Sequence, residues 1–198
     1  MKTLFRSFLG AALAFAIAGL LTAPLPARAA FSGTVQVGVD LTNTSSSDLG
    51  TASDIVKALN YVGVSFSNGT GANQANQLFA DQRTLTASAT EDLDLAGGLT
   101  NNLGATVTLA RVKAIIVKAS SSNTNNVLVG GAATNQFINW VGNASDVITV
   151  RPGGAFILVA PDATGFAVTA GTGDLLKIAN SGGTTSVTYD IILIGATS

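Results

Sequence analysis

The chain has 198 residues, of which 47% are hydrophobic and only 11% are charged, and it contains no cysteine and no histidine. An ordinary globular domain has about 25% charged residues. Without histidine, Ser-His-Asp catalysis and imidazole metal sites are excluded, and without cysteine, disulfides, thiolate nucleophiles and Cys-ligated zinc are excluded. The composition therefore favours a protein that is not an enzyme and needs no cofactor.

The first 30 residues have the order of a secretory signal peptide. Lys2 and Arg6 form a positive start, residues 8–21 are free of charge, and small residues around Ala29 and Ala30 form a cleavage site. The apolar run is shorter than the roughly 20 residues that span a bilayer, which disfavours a retained anchor. The sequence thus predicts a periplasmic, cell-surface or extracellular chain with no membrane association after cleavage.

Removal of this leader changes the net charge. Three of the ten basic residues but none of the 11 acidic residues lie in residues 1–30, so the remaining 168 residues have a net charge of −4. Binding to a nucleic-acid backbone needs clustered basic residues, so no nucleic-acid partner is predicted. A neutral surface rich in Ser, Thr and Asn is easily buried against another subunit.

The predicted elements are short and mostly strands. The sequence contains no convincing helix; the best candidate is one or two turns over residues 52–59, preceded by Thr51 in a position to be its N-cap. Alternating or β-branched apolar residues predict strands over residues 34–40, 61–67, 78–95 (one strand or two), 106–118, 126–129, 137–141, 147–150, 155–160, 166–169, 175–178 and 185–194. Residues 155–160 are nearly all apolar, which is typical of a strand buried on both faces. A phase slip near Ala110 and Arg111 predicts a β-bulge.

About ten strands, separated by turn residues every 8–15 positions or so, predict an all-β fold. An antiparallel β-sandwich or a jelly-roll-like domain fits this spacing, and no amphipathic helix indicates parallel β-α-β units. The predicted parts are a signal peptide over residues 1–30, an N-terminal strand extension over 31–68 and a β-sandwich domain over 69–198. Residues 31–198 are expected to fold as one compact unit.

Glu91, Asp92 and Asp94 form the densest group of carboxylates. In a strand Asp92 and Asp94 point to the same face, which makes them candidate ligands for Ca²⁺ or a candidate acid/base pair. A solvated strand edge explains the same residues without any ligand. Residues 162–165 and 171–174, which contain Asp162 and Asp174 beside Thr and Gly, have the composition of turns.

Trp140, the only tryptophan, and Phe137 are the candidate aromatic residues for a sugar site or an interface. A sugar platform needs an exposed flat ring, whereas a lone tryptophan is more often found in a core or an interface. Asn43, Asn68 and Asn143 also begin Asn-x-Ser/Thr sequences, which frequent Asn, Ser and Thr produce by chance.

Several stretches together resemble a known group of proteins. These stretches are residues 69–77, 81–85, 91–97, 123–131, 150–154, 169–176 and 187–195. In their order along the chain and in their amino-acid sequence they resemble small β-sandwich structural proteins of tailed bacteriophages and prophages. The resemblance implies a virion component, such as a decoration, spike or fibre-associated subunit, with no catalytic residues. Such virion proteins carry no export signal, so the leader indicates either a phage-type domain recruited for export or an element that uses the secretory route.

Two functions from different classes remain open. The first is a structural or assembly subunit whose partners are copies of itself, in a homo-oligomer or lattice, or other virion or surface proteins. The alternative is a secreted carbohydrate- or surface-binding module that uses Trp140, or a Ca²⁺ ion at Asp92 and Asp94. A third hypothesis is a hydrolase that uses these two carboxylates, but no sequence motif supports it.

Overall fold

The computed structural model describes residues 30–48 and 50–198. Residue Ala30 is exposed, whereas Ala29 and the rest of the leader lie outside the described residues, so the cleavage site stays a prediction. The strands are β1 (Gly33–Ser47), β2 (Gly50–Asn68), β3 (Gln74–Ala75), β4 (Gln77–Leu85), β5 (Thr90–Asp94), β6 (Leu99–Thr100), β7 (Thr106–Val107), β8 (Arg111–Ala119), β9 (Val127–Gly130), β10 (Val147–Val150), β11 (Ala155–Val159), β12 (Phe166–Ala167), β13 (Leu175–Asn180) and β14 (Val187–Ala196). Among the described residues, none belongs to a helix of the length and apolarity needed to cross a membrane.

Eight of the strands form two packed antiparallel sheets. One sheet has the order β11-β8-β14-β4, with β12 continuing the β11 edge of β8, and the other has the order β10-β9-β13-β5. If these eight strands are lettered B to I in chain order, the sheets read G-D-I-B and F-E-H-C, which is the arrangement of a jelly roll with two Greek keys. The predicted all-β fold, an antiparallel sandwich of jelly-roll type, is confirmed.

The main hydrophobic core lies between the two sheets. Alternate residues of β14 face inward, and Tyr189, Ile191 and Leu193 are fully buried. Leu176 and Ile178 of β13 pack into the same cluster from the opposite sheet. Since the side chains of a strand alternate between its two faces, an apolar residue at every second position both selects the strand and builds this core.

An ion pair links the edge strands β4 and β5 of the two sheets. Arg83 Nη1 donates to Glu91 Oε2 at 2.5 Å, and the Arg83 guanidinium lies 5.5 Å from the centre of the Phe79 ring. The buried hydroxyl of Tyr189 donates to the other oxygen of Glu91. Glu91 therefore holds together a cation from β4 and a phenol from β14.

The buried position of Tyr189 leads to a prediction about its ionisation at alkaline pH. Burial, with the hydrogen bond to Glu91, raises the pKa of Tyr189 above its usual value. Because the folded state disfavours the phenolate, this stabilisation is complete below the unfolded pKa of about 10 and is lost as pH rises toward the folded pKa. Of the two tyrosines in the chain, we expect Tyr189 to ionise only as the protein unfolds. Phenolate absorbance and circular dichroism, followed together as pH rises, measure this.

A Tyr189→Phe variant is the control for that titration. It removes the ionising group and keeps the ring in the core. The absorbance step that coincides with unfolding in the wild type should then be absent. A Tyr189 step completed while the circular dichroism is still native would contradict the prediction.

A buried asparagine organises one end of the sandwich. The side-chain nitrogen of Asn180 donates to the carbonyl oxygens of Thr86 at 2.9 Å and Thr185 at 2.7 Å. Its side-chain oxygen accepts from the backbone N–H of Gly182 at 3.0 Å. Asn180 is only 6% exposed, so it pairs backbone groups that no strand ladder reaches.

The polar segment over residues 120–126 takes part in the same kind of pairing. The Asn123 side chain accepts from the backbone N–H of Thr188 at 2.8 Å and donates to the Thr188 carbonyl at 2.9 Å. This two-way contact imitates one step of a β-ladder beside β14. Part of the Asn and Thr content of the chain therefore serves internal hydrogen bonding.

The base of the β1–β2 hairpin covers one end of the outer face of the β4-containing sheet. Val35 and Phe66 of the hairpin, together with Ala75, pack on Ala114 of β8 and Ile194 of β14. All five are buried and form a second hydrophobic cluster, separate from the main core. The outer face of this sheet is thus apolar as well as the inner one.

The predicted β-bulge is present but lies further along β8. Ile194 pairs with Ala114 and Gly195 pairs with Val112, so Lys113 is the extra residue. An added Cβ at Gly195 would clash with the carbonyl oxygen of Arg111, so the neighbouring strand needs a glycine at this point. The bulge changes the phase of β8 and sends Ile115 into the main core while Ala114 faces the hairpin.

Three other sequence predictions are wrong. Residues 52–59 are not a helix but part of β2, because pairing with β1 outweighs the weak propensity of one or two helical turns. Residues 137–141 form turns and no strand. The apolar residues 155–160 are not buried on both faces, since β11 is an edge strand on which Ile157 is 38% exposed.

Candidate assembly surface

The β1–β2 hairpin continues far beyond its packed base. We call residues 36–63 the arm. Every residue from Asp40 to Gly63 whose side chain the structure describes is exposed. At about 3.3 Å per residue, β1 runs roughly 40 Å beyond Val35. The arm is therefore a long two-stranded ribbon, and the described side chains of β1 from Asp40 outward are exposed on both of its faces.

The register of the hairpin matches apolar residues of its two strands. Val35 pairs with Val64 at the base, and further out Val39 pairs with Leu59 and Leu41 with Val56. Two register shifts, after Val37 and after Val39, absorb the extra residues of β2 and keep this matching. Pairs of apolar residues therefore recur along the inner half of the arm, as expected of a surface that packs against another surface.

One face of β1 is apolar from the base into the arm. Val35, Val37, Val39 and Leu41 occupy alternate positions and so share a face. Their exposure rises outward, from 6% at Val35, through half-buried Val37 and Val39, to 61% at Leu41. We call these four residues the arm stripe; its base is covered by the sheet, and its outer end is open.

Within the described part of the chain, β1 is the terminal strand of its sheet. Exposed edges are usually protected by Lys, Pro or bulges in the edge strand itself. The 15 residues of β1 contain no Lys and no Pro, and Asp40 is their only charge. Such an edge is typical of a strand that another chain covers.

The apolar surface of the sheet continues from the hairpin base, whose cluster Ile116 and Ile192 already contact. Ile192 of β14 pairs with Ala80 of β4 on one side and with Ile116 of β8 on the other, and Ile116 pairs with Ile157 of β11. We call these four residues the outer row, since they cross the sheet in one straight line. Ile157 is exposed and the other three are half-buried.

The outer row ends in an apolar pocket on one side and borders polar residues along its length. At β4, Leu78 and Ala80 line a pocket of about 100 Å³ together with the strongly exposed Leu103. One register step away, the Gln82 side chain donates to Asp190 at 2.8 Å. An apolar strip with a polar border is the composition expected of an interface core and its rim.

The structure separates the three carboxylates singled out in the sequence. Glu91 faces inward in its ion pair, whereas Asp92 is exposed on the other face of β5. Asp94 accepts a hydrogen bond from the backbone N–H of Ala96 at 2.8 Å, as in an Asx turn. Within residues 30–48 and 50–198, no group of three or more His, Cys, Asp or Glu side chains is placed to hold a metal ion.

The two aromatic candidates lie at the border of the main core. Phe137 is buried, so its ring offers no surface to a ligand. Trp140 is half-buried, packs 5.6 Å from the centre of the Phe156 ring, and donates its indole N–H to the Phe137 carbonyl at 2.8 Å. These contacts describe a structural role for both rings.

Asp162 acts in a turn, in agreement with its sequence context. Its carboxylate accepts from the backbone N–H groups of Gly165 at 2.9 Å and Thr164 at 2.8 Å, and these bonds hold the pKa of Asp162 below its usual value. The adjacent Asp162 carbonyl accepts from the buried ammonium of Lys113. This loop is therefore fixed to β8 by its own polar groups.

No known protein family, curated protein or solved structure matches this chain. The resemblance to tailed-phage structural proteins stays a prediction. Sequence reasoning noted the alternation of Val35, Val37 and Val39 but missed the outer row. A signal for it was present, since Ile192 and Ile194 make β14 apolar on its second face as well.

Proposed function

We propose that the chain is an exported, non-enzymatic structural protein that assembles with further copies of itself through the arm. The observation that carries the proposal is a ribbon about 40 Å long whose described β1 side chains from Asp40 outward are exposed on both faces. A two-stranded hairpin alone is at best marginally stable in water. The arm is therefore expected to be stabilised by a surface outside its own chain.

The charge and composition of the chain support the same proposal. Seven basic and 11 acidic residues follow the leader, so copies of the protein repel one another only weakly. The face of β1 opposite the arm stripe carries neutral hydroxyls at Thr42, Thr44 and Ser46, all of them exposed. Neutral polar groups cost less to bury than charges when two subunits meet.

We extend the proposal to a virion-like or cell-surface particle, in which the chain is a decoration, spike or fibre-associated subunit. Jelly rolls occur in viral capsid domains and also in lectin domains, so the fold alone does not decide between assembly and sugar binding. The arm favours assembly. The resemblance supports a virion-type particle, and the predicted leader supports export.

The experiment compares two single substitutions on opposite faces of the arm. Leu41→Asp places a charge at the open end of the arm stripe, and Thr42→Asp places the same charge on the polar face one residue away. We expect the wild type, purified from the exported fraction, to be oligomeric, and Leu41→Asp to weaken association by at least about tenfold. Thr42→Asp should leave association nearly unchanged. Light scattering across a concentration series measures both.

A wild type that stays a single chain at tens of micromolar would overturn the proposal. Equal effects of Leu41→Asp and Thr42→Asp would show that association does not use the arm stripe. Intact mass of the exported protein gives a separate test of the leader, because the predicted chain begins at Ala30 or Phe31. Sugar binding by a single-chain protein, lost on Trp140→Ala, would favour the carbohydrate-binding alternative.

A further inference from the structure

The geometry points to the receiving surface for the arm: we propose that the outer end of the arm stripe of one copy, from Val37 to Leu41, packs on the outer row of a second copy, and that two copies exchange arms in this way. The inference rests on the proposed function and adds the site at which the partner chain binds. It joins two apolar surfaces that each chain leaves incompletely covered.

The contact already present at the hairpin base shows that the two surfaces are complementary. There, Val35 of the arm stripe packs on Ala114 and Ile194, which lie on the same face of the same sheet as the outer row. The outer row begins one pleat further along, where Ile192 pairs with Ile116. The proposed contact repeats between chains a packing that the chain makes within itself.

The available area favours a reciprocal exchange. Two strands about 4.8 Å apart form a ribbon some 10 Å wide, so its apolar part, about 20 Å long from Val35 to Leu41, covers about 200 Å². Two such parts on two sheets bury roughly 800 Å² in total, the size of a weak, transient interface, whereas a single one buries only about half as much. Reciprocal exchange also gives each chain one donated and one received arm, as in a closed twofold dimer.

Cysteine cross-linking tests the contact directly, because the natural chain has no cysteine. Full-length Ile157→Cys is mixed with a second full-length preparation carrying Val39→Cys or Leu41→Cys, and the mixture is oxidised. The matched controls replace Asp40 or Thr42, which lie on the opposite face of β1. Since each preparation carries one cysteine, a product containing both variants must join two chains.

We expect disulfide-linked pairs of Ile157→Cys with the two stripe variants to exceed those with the two controls by about tenfold, because a disulfide needs Cβ atoms about 4 Å apart. This alternation along β1 supports the inference. Oligomers that form normally but cross-link with no such alternation overturn the inference and leave the proposed function standing. If all preparations are single chains, the proposed function fails first and the inference falls with it.

The receiving sheet provides a second measurement. Ile157→Asp charges the exposed end of the outer row, and Ala155→Asp charges an exposed residue two positions away in the same edge strand. Ile157→Asp should weaken association by about as much as Leu41→Asp, at least tenfold, with Ala155→Asp close to the wild type. Equal association of both β11 variants and the wild type would also overturn the inference.

Discussion

Glu91→Ala is expected to lower the free energy of unfolding by about 3 kcal/mol, a large effect for one side chain at the edge of a sandwich. The substitution removes the acceptor of Tyr189 and one of the two carboxylates paired with Arg83, which keeps Asp81 at 3.0 Å. The phenol is fully buried, and the Arg83 side chain is only 31% exposed. Water therefore cannot fully replace the hydrogen bond that either group loses. Urea unfolding, followed by circular dichroism, measures the loss.

The neighbouring residue supplies a matched control. Asp92→Ala removes a carboxylate from the opposite, exposed face of the same strand, where removal should change stability by no more than about 0.5 kcal/mol. A loss of less than about 1 kcal/mol for Glu91→Ala would mean that the ion pair behaves as a solvated surface pair. The comparison separates the carboxylate that links the sheets from one that only faces solvent.

The all-β fold was predictable because apolar residues at every second position directly indicate a strand with one buried face. Strand β14 alternates apolar residues at Val187, Tyr189, Ile191 and Leu193, and this alternation needs no knowledge of the partner strands. The failures arose where a partner decides the outcome. Residues 52–59 favour a helical turn only weakly, and β1 imposes a strand on them. Residues 155–160 look buried on both faces until the sheet order places β11 at an edge.

The candidate site was less accessible to sequence reasoning. Chemistry directs attention to Asp92, Asp94 and Trp140, since carboxylates and a lone tryptophan are common in binding sites. The proposed assembly surface instead uses Ile116, Ile192 and other aliphatic residues that have no individual signature. Only the cross-strand register brings them into one line, and register depends on bulges and turn lengths that single sequences specify weakly.

The Ser, Thr and Asn residues of the chain have two different roles, which the composition alone does not distinguish. The Ser, Thr and Asn residues of the arm whose side chains the structure describes are exposed, which fits a neutral surface that a partner can cover. Asn123 instead pairs with the backbone of Thr188 at the start of β14, and Asn180 pairs with the backbone of the loops around Thr86 and Thr185. In a fold with no disulfide and few ion pairs among its described residues, such asparagines carry part of the stability that cross-links supply elsewhere.

Asn180→Ala is therefore expected to destabilise the protein by about 3 kcal/mol, through lost hydrogen bonds rather than lost packing. It removes one of two donors from each of the Thr86 and Thr185 carbonyls, which keep the Ala89 N–H and the Asn125 side chain, and it removes the acceptor of the Gly182 N–H. Asn180→Asp should be no better, because it keeps the acceptor for Gly182 but sets a negative charge against two carbonyl oxygens. Exposed Asn102→Ala is the control and should change stability by no more than about 0.5 kcal/mol in the same urea titration. If Asn180→Asp were as stable as the wild type, the two carbonyl contacts would contribute nothing, and the end of the sandwich would be held by the strands alone.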